Sequence, residues 1–262
     1  MKKLANTGNK LIPVAFTLFL LVIWQGVVDL GLVQRFILPS PTDVLTAFVY
    51  TLPEMQVHIA VTLKEALTGY LIAISFSMVL AVLMDSLVIV RKALYPLLVV
   101  SQTIPIIALA PLFAVWFGFG MLPKVIVVVL VCFFPIVISL LEGLASVDTD
   151  MIRLLKSMGA SKFQTFRLVK LPASMVSFFS GLRIATTYCV MGAVIAEWLG
   201  GTRGLGLYML NVKRSYAVDK VLAATLVIII LSVLLFKIVE FLQGIAMPWN
   251  KFIYKENRRI IQ

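Results

Sequence analysis

A few charged residues lie inside or at the ends of long apolar runs, and they are the first candidates for chemistry in this chain. Arg183 lies about two turns into the run 174–197, and Glu142 ends the run 125–142. A charge at the centre of a bilayer costs about 2.5–3.5 kcal/mol on insertion scales, so such residues usually face a bundle interior or water. One hypothesis is that Arg183 and Glu142 pair across two helices and help to close a gate. The alternative is that each side chain snorkels to the headgroups.

Further polar and aromatic residues are candidates for lining a solute pathway. Glu197 ends the run 174–197 beside a glycine-rich turn, where it either contacts a partner or solute or, as we favour, is an interfacial acid that holds Arg203 or Lys213. Hydroxyl groups in membrane helices often only bond to neighbouring helices, and Trp often marks the interface. The remaining candidates therefore either line a pathway or have one of these structural roles. These candidates are Gln102, Thr103, Trp116, Thr186, Thr187 and Tyr188.

Residues for catalysis or metal binding are scarce. The single histidine, His58, has no neighbouring ligands in sequence, and Cys132 and Cys189 lie in apolar runs without metal or disulfide spacing. The two cysteines are expected to be small core residues. The sequence contains no GxxxxGK[ST] phosphate loop. We therefore predict no enzyme, no metal site and no bound cofactor, and any ATP would be bound by another chain.

The composition predicts an all-α membrane protein. The 262 residues are 61% hydrophobic and 13% charged, and the mean hydropathy is +1.05. Crossing the hydrocarbon core takes roughly 20 mostly apolar residues. The first run is too long for the apolar core of a signal peptide, so we interpret it as a span. A single transmembrane domain, 1–262, with six spans is expected, at about 11–33, 62–84, 95–117, 125–142, 174–197 and 221–243.

The formal net charge of +11 follows the membrane rather than a nucleic-acid surface. Basic residues are concentrated at alternate loops and at both termini, which is the positive-inside pattern. The pattern places both termini in the cytoplasm and requires an even number of spans. A multi-pass protein of the cell membrane, inner or plasma, is therefore predicted. In the C-terminal tail, Trp249 and Tyr254 beside basic residues are typical of an interface anchor.

Prolines and polar stretches subdivide this scheme. The segment 38–55 is bounded by prolines and predicts a short helix in the outer interface. Span 3 is broken by Pro96, Pro105 and Pro111, which indicates either a pathway or a packing kink. The outer loop 199–220 is expected to hold a short helix from Leu207.

The polar, basic segment 148–172 between spans 4 and 5 is the most informative part of the chain. Asp148 and Asp150 suit a helix N-terminus, and Gly159 is a natural helix terminator. Ser161 opens a second helix, with Gln164 at capping-box spacing, and Pro172 is expected to end it. The first helix carries an apolar stripe that either packs on the protein itself or binds a partner. Its members are Met151, Leu154, Leu155 and Met158.

This segment resembles the conserved loop of permease subunits of binding-protein-dependent ATP-binding-cassette importers. That loop reads Glu-Ala-Ala, three residues, Gly, nine residues, Ile-x-Leu-Pro. Gly159, Leu171 and Pro172 match it and Val169 replaces Ile, whereas Arg153, Leu154 and Leu155 occupy the Glu-Ala-Ala positions. The resemblance spans nearly the whole chain and is closest to the nitrate, sulfonate and taurine branch, and within it to permeases for pyrimidine precursors of thiamine. It includes LPSPTDV (38–44), QTIPIIALAPLFAVWFGFG (102–120), FFPI (133–136) and AEWLGGTRGLG (196–206).

The resemblance implies a type I importer fold and a set of partners. The segment 148–172 would be the coupling region, seated on a cytoplasmic ATPase subunit, and Arg153 would either pair with an acid of that subunit or be solvated. An external solute-binding protein and a second copy of the chain are the other implied partners. The coupling residues would be Asp150, Met151, Arg153, Leu154, Leu155, Met158, Gly159, Ala160, Ser161, Leu171 and Pro172.

The alternative functions make different demands on the sequence. A stand-alone secondary transporter of a small solute would be expected to show inverted repeats and mid-span carboxylates, and neither is evident. A channel or scaffold would use the segment 148–172 only to recruit a partner. The solute itself is set mainly by the binding protein, with a pyrimidine precursor of thiamine or another small heteroaromatic expected first, then sulfonate, taurine or nitrate.

Overall fold

The computed structural model describes the backbone of residues 2–248 and the side chains of residues 12–248. The N-terminal lysines' side chains and the tail with Trp249 and Tyr254 lie outside the described residues. Within them all regular secondary structure is helical. The helices are α1 (Lys2–Asp29), α2 (Pro41–Ser86), α3 (Val88–Ser101), α4 (Ile106–Phe117), α5 (Met121–Ala145), α6 (Thr149–Ser157), α7 (Lys162–Thr165), a π-helical turn (Phe166–Lys170), α8 (Leu171–Glu197), α9 (Leu205–Arg214) and α10 (Val218–Ala246).

Five of the described helices are long and apolar enough to cross a bilayer. They are α1, α2, α5, the continuous helix Lys162–Glu197 and α10. A sixth crossing is obtained when α3 and α4, which are bent by 100° relative to each other, are taken together. An all-α membrane fold with up to six crossings is therefore confirmed.

The helix α2 differs from the prediction. A separate interface helix and a second span were expected, but Pro41–Ser86 is one helix of 46 residues that contains Pro53. A proline removes one backbone hydrogen bond but does not force a break, and no glycine or turn sequence follows it here. The helix begins at Ser40, whose side chain forms a capping box with Asp43.

Of the three prolines in the third crossing, only Pro105 lies at the break. Pro96 and Pro111 lie inside α3 and α4. Pro105 caps α4, after a turn in which Thr103 and Ile104 donate to carbonyls three residues earlier. A residue before proline avoids the helical region, and the break at Pro105 agrees with this preference, whereas α3 and α4 continue through Pro96 and Pro111.

The centre of the bundle is α5, which packs between α2 and α8. Small residues permit the close approach: a Cβ atom on Gly181 would lie 2.8 Å from the Pro135 carbonyl oxygen of α5, and one on Gly143 would lie 2.7 Å from Ser177 Cβ. The two cysteines are buried and free, as predicted for small core residues. The thiol of Cys132 donates to the Ala185 carbonyl at 3.5 Å, which adds a polar contact between α5 and α8.

Candidate functional site

The segment 149–170, called the hairpin below, begins with a well-capped helix. The Asp148 carboxylate accepts a hydrogen bond from the Asp150 amide at 2.8 Å and caps α6. The helix ends in a Schellman motif, in which the Ala160 amide donates to the Leu155 carbonyl and the Gly159 amide donates to the Lys156 carbonyl. Gly159 takes φ +84°, a left-handed conformation that favours glycine. Both helix signals of the sequence are thus present in the structure.

The second half of the hairpin begins as expected but does not end as expected. Ser161 and Gln164 form the predicted capping box. Pro172, however, does not end this helix, because Lys162–Glu197 is continuous and Pro172 lies in the first turn of α8. A proline cannot donate to the carbonyl four residues before it. The chain accommodates this loss with the π-helical turn, in which the Leu171 amide donates to the Phe166 carbonyl five residues back.

The apolar surface of α6 is divided between two directions. Leu155 and Ile152 are half-buried. Met151, Leu154 and Met158 are exposed, over 54%, 60% and 74% of their surfaces. These three residues, called the outer stripe below, lie at i, i+3 and i+7 and therefore share one face of the helix. The stripe is open for contact with another molecule.

Arg153 finds a partner within its own helix. Its guanidinium donates to the Asp150 carboxylate at 3.1 Å, and both side chains are exposed. An exposed pair at this spacing contributes only a few tenths of a kcal/mol, so it leaves both groups free to bind elsewhere.

The structure does not bring Arg183 and Glu142 together. Arg183 lies near Ser180 Oγ at 3.4 Å, and Glu142 is exposed. The reason is the packing of α8 on α5, which takes place through Gly181. Arg183 follows Gly181 by two residues, which is a rotation of about 200° around the helix axis, so Arg183 points away from α5. The hypothesised Arg183–Glu142 pair is therefore not formed in this conformation.

The other predicted pathway residues separate into buried and exposed groups. Thr186 is buried, donates to the Leu182 carbonyl at 2.8 Å and lies 2.9 Å from the Tyr70 hydroxyl. Its hydroxyl thus contributes to helix packing. Thr187 and Tyr188 are exposed on α8. Gln102, Thr103 and Trp116 are exposed as well, the first two at the break between α3 and α4.

Glu197 is part of a buried polar cluster at the end of the bundle opposite the hairpin. Its carboxylate accepts a hydrogen bond from the Thr62 hydroxyl at 2.6 Å and another from the Gly206 amide at 2.6 Å. The Thr62 oxygen also accepts from the Leu205 amide at 2.9 Å. Both Glu197 and Thr62 are fully buried. The interpretation of Glu197 as an interfacial acid that holds Arg203 or Lys213 is therefore wrong, because its side chain turns inward and binds Thr62 of α2 and the first turn of α9.

A second buried pair completes this cluster, which we define as Thr62, Glu65, Lys124 and Glu197. Lys124 Nζ donates to Glu65 Oε1 at 2.7 Å, and both side chains are almost wholly buried. The sequence did not predict this pair: Glu65 lies at the start of the predicted span 62–84, and Lys124 lies one residue before the predicted span 125–142. One signal was available: Thr62 and Glu65 are three residues apart and thus share a helix face.

Comparisons with known proteins place the chain among membrane transport components. A family model described as "Binding-protein-dependent transport system inner membrane component" matches residues 69–250. The formylaminopyrimidine transport permease protein of Halalkalibacterium halodurans is 37% identical over 91% of this chain and 96% of its own length. The riboflavin transport system permease protein of Chloroflexus aurantiacus is 32% identical over 91% and 90% of the two chains. The taurine transport system permease protein of Escherichia coli is 31% identical over 88% and 86%.

Proposed function

This chain belongs to the family of binding-protein-dependent transport system inner membrane components, and from that premise we propose that it is the permease subunit of an importer driven by ATP hydrolysis on a separate subunit. The chain is an all-helical, multi-pass membrane protein. Its similarity to permease subunits over most of its length indicates a transport component rather than an enzyme. In this proposal the solute reaches it from an external binding protein.

The outer stripe is the observation that carries this proposal. A helix with Met and Leu side chains exposed on one face is suited to fill an apolar groove of a partner. Fully burying such a side chain contributes about 1.5–3 kcal/mol, and more than half of each surface of Met151, Leu154 and Met158 is still exposed. Docking of this face on the ATPase subunit would bury that surface. Asp150, Arg153 and the residues around Gly159 would surround the contact.

The charge distribution supports one orientation of the proposed subunit. The hairpin carries Arg153, Lys156, Lys162, Arg167 and Lys170. A basic loop between two spans favours the cytoplasmic side, where the ATPase subunit would lie. If α3 and α4 together form a sixth crossing, this orientation would place both termini in the cytoplasm too.

A homodimer is part of the proposal. The described residues of one copy form at most six crossings. In α8, Thr187 and Tyr188 are exposed beside the half-buried Arg183. Charged and polar side chains at membrane depth usually face a bundle interior or water. Two copies that face each other through α8 would enclose these side chains, and a solute path between them would then be lined by polar and aromatic groups.

We propose a small nitrogen heteroaromatic as the solute. Two of the three relatives described above are named for such compounds, a formylaminopyrimidine and riboflavin. The exposed aromatic side chains of Tyr188 and Trp116 could stack on a flat ring. Taurine, for which the third relative is named, has no ring and would use neither group in this way.

Purification of the tagged chain from membranes of its own host tests the proposed partnership. We expect the wild-type chain to co-purify with an ATP-binding-cassette ATPase and with ATPase activity. Leu154→Asp places a charge in the outer stripe, so it should reduce the recovered ATPase more than tenfold. Lys156→Asn, on the opposite face of α6, is the matched control and should retain it. Solute flux from the lone chain without nucleotide would instead support a stand-alone secondary transporter.

The solute class is tested on the binding protein that stimulates the ATPase activity of the purified complex. Isothermal titration with a formylaminopyrimidine, riboflavin and taurine should show the tightest binding for one of the two heteroaromatic compounds. Preference for taurine would contradict the proposed solute class. That result would leave the ATPase partnership untouched.

A further inference from the structure

A single ion pair joins the end of the hairpin to the end of α2. Lys170 Nζ donates to both oxygens of Asp85, at 2.8 and 2.9 Å. Only 23% of the Lys170 side chain and 9% of the Asp85 side chain are exposed. The two residues are 85 positions apart in sequence, so the contact is tertiary and not a local helix pair. Its burial separates it from the exposed pairs Arg153–Asp150 and Lys237–Glu240.

The positions of the two residues in their helices are unusual. Asp85 precedes Ser86, the last residue of α2, and the C-terminus of a helix disfavours a negative charge. A nearly buried carboxylate there needs a cation, and Lys170 supplies it. Lys170 is the last residue of the π-helical turn. Turns of this type shift the direction of the residues that follow and often occur at functional sites.

The hairpin is linked to α8 through the backbone and to α2 through the Lys170–Asp85 pair. The hairpin continues into α8 through the unbroken helix Lys162–Glu197, so any movement of the hairpin reaches α8 through the backbone. Its link to α2 is the ion pair, and Phe166 packs against the core cluster to which Met84 of α2 also belongs. The Lys170 ammonium contacts both oxygens of one carboxylate, so the pair holds these two helix ends at contact distance.

The helix α2 can carry such a movement to the other end of the protein. Asp85 and Glu65 lie about 30 Å apart along this helix, at 1.5 Å per residue. Glu65 and Thr62 belong to the buried polar cluster, and Thr62 bonds to Glu197, the last residue of α8, and to Leu205, the first residue of α9. Asp85 is therefore joined to the end of α8 and the start of α9 by one helix and two hydrogen bonds.

We propose that Lys170 and Asp85 are a positioning pair that transmits movement of the hairpin to α2, so that α2 and α8 move together when ATP is hydrolysed. This inference rests on the proposed function. The pair touches neither nucleotide nor solute. Its loss uncouples hydrolysis from transport and leaves the assembly intact.

The test uses the complete complex in proteoliposomes, and it measures the amount of solute taken up for each ATP hydrolysed. Asp85→Asn and Lys170→Gln should each lower this ratio at least fivefold, with the amount of bound ATPase unchanged. The charge swap Asp85→Lys with Lys170→Asp should restore at least half of the wild-type ratio. Lys237→Gln, which breaks an exposed ion pair of α10, is the matched control and should keep the wild-type ratio.

A double neutral variant keeps the test valid if the charge swap fails to fold. If the two residues act only through each other, Asp85→Asn with Lys170→Gln should be no worse than the more affected single variant. Multiplied effects in the double variant, or wild-type ratios in both single variants, would overturn the inference. A wild-type complex without ATP-driven uptake would overturn the proposed function itself, and the role of the pair with it.

Discussion

Thr62→Val isolates the contribution of the buried polar cluster with little change in side-chain volume. The Thr62 hydroxyl donates to Glu197 at 2.6 Å and accepts from the Leu205 amide at 2.9 Å. Valine has no hydroxyl, so the substitution leaves a carboxylate oxygen and a backbone amide without these partners. Both Glu197 and Leu205 are fully buried, so water does not readily replace the lost bonds.

The size of the effect follows from the two bonds. Leaving a buried donor or acceptor without its partner costs about 1–3 kcal/mol. Interhelical hydrogen bonds in membrane proteins average only about 0.6 kcal/mol, because the reference state also finds partners. Full burial of both partners of Thr62 favours the higher range. We therefore expect Thr62→Val to lower the free energy of unfolding by about 2–4 kcal/mol.

Thr62→Ser is the matched control, because it keeps the hydroxyl and removes one methyl group, a change of about 0.5–1.5 kcal/mol. Thermal unfolding in detergent should show a larger decrease in Tm for Thr62→Val than for Thr62→Ser. Hydrogen exchange is the more specific assay, since the Leu205 amide should exchange at least tenfold faster in Thr62→Val alone. Equal exchange of this amide in the two variants would refute the role assigned to the Thr62 hydroxyl.

Two further predictions concern the packing of α5. Gly181→Leu should destabilise the protein by about 1–3 kcal/mol by overpacking, since even a Cβ atom would lie 2.8 Å from the Pro135 carbonyl oxygen. The control is Gly26→Ala, where a Cβ atom meets nothing within 4 Å. Equal unfolding free energies of the two variants would contradict this prediction. Lys124→Met should lower the free energy of unfolding by about 3–5 kcal/mol, because it leaves the buried Glu65 carboxylate unpaired. Adding Glu65→Gln should recover most of the lost Tm, and no recovery would show that the pair is not the cause.

Local signals in the sequence predict the hairpin well, because each of them acts over three or four residues. Asp148 caps α6, Gly159 ends it, and Ser161 opens α7 with Gln164. The prediction fails at Pro172, where a π-helical turn replaces the expected break. A proline marks a lost hydrogen bond, and whether the helix stops or adjusts depends on the tertiary contacts around it.

The partners of the charged residues could not be predicted from the sequence. Thr62 and Glu197 are 135 residues apart, and Lys124 and Glu65 are 59 residues apart. Only the packing of α2, α5 and α8 brings them together. The division of the apolar surface of α6 was also out of reach, because amphipathicity shows that a face is buried but not by what.

The central claim is that the outer stripe binds an ATPase subunit, and cysteine labelling tests it most directly. The native cysteines are buried and should react slowly with a thiol reagent, so labelling of the Leu154→Cys variant reports on position 154. In inside-out vesicles, a membrane-impermeant maleimide should label Leu154→Cys in the lone chain and at least tenfold more slowly in the complex with ATPase. Equal labelling in both, or labelling only from the other side of the membrane, would contradict the account.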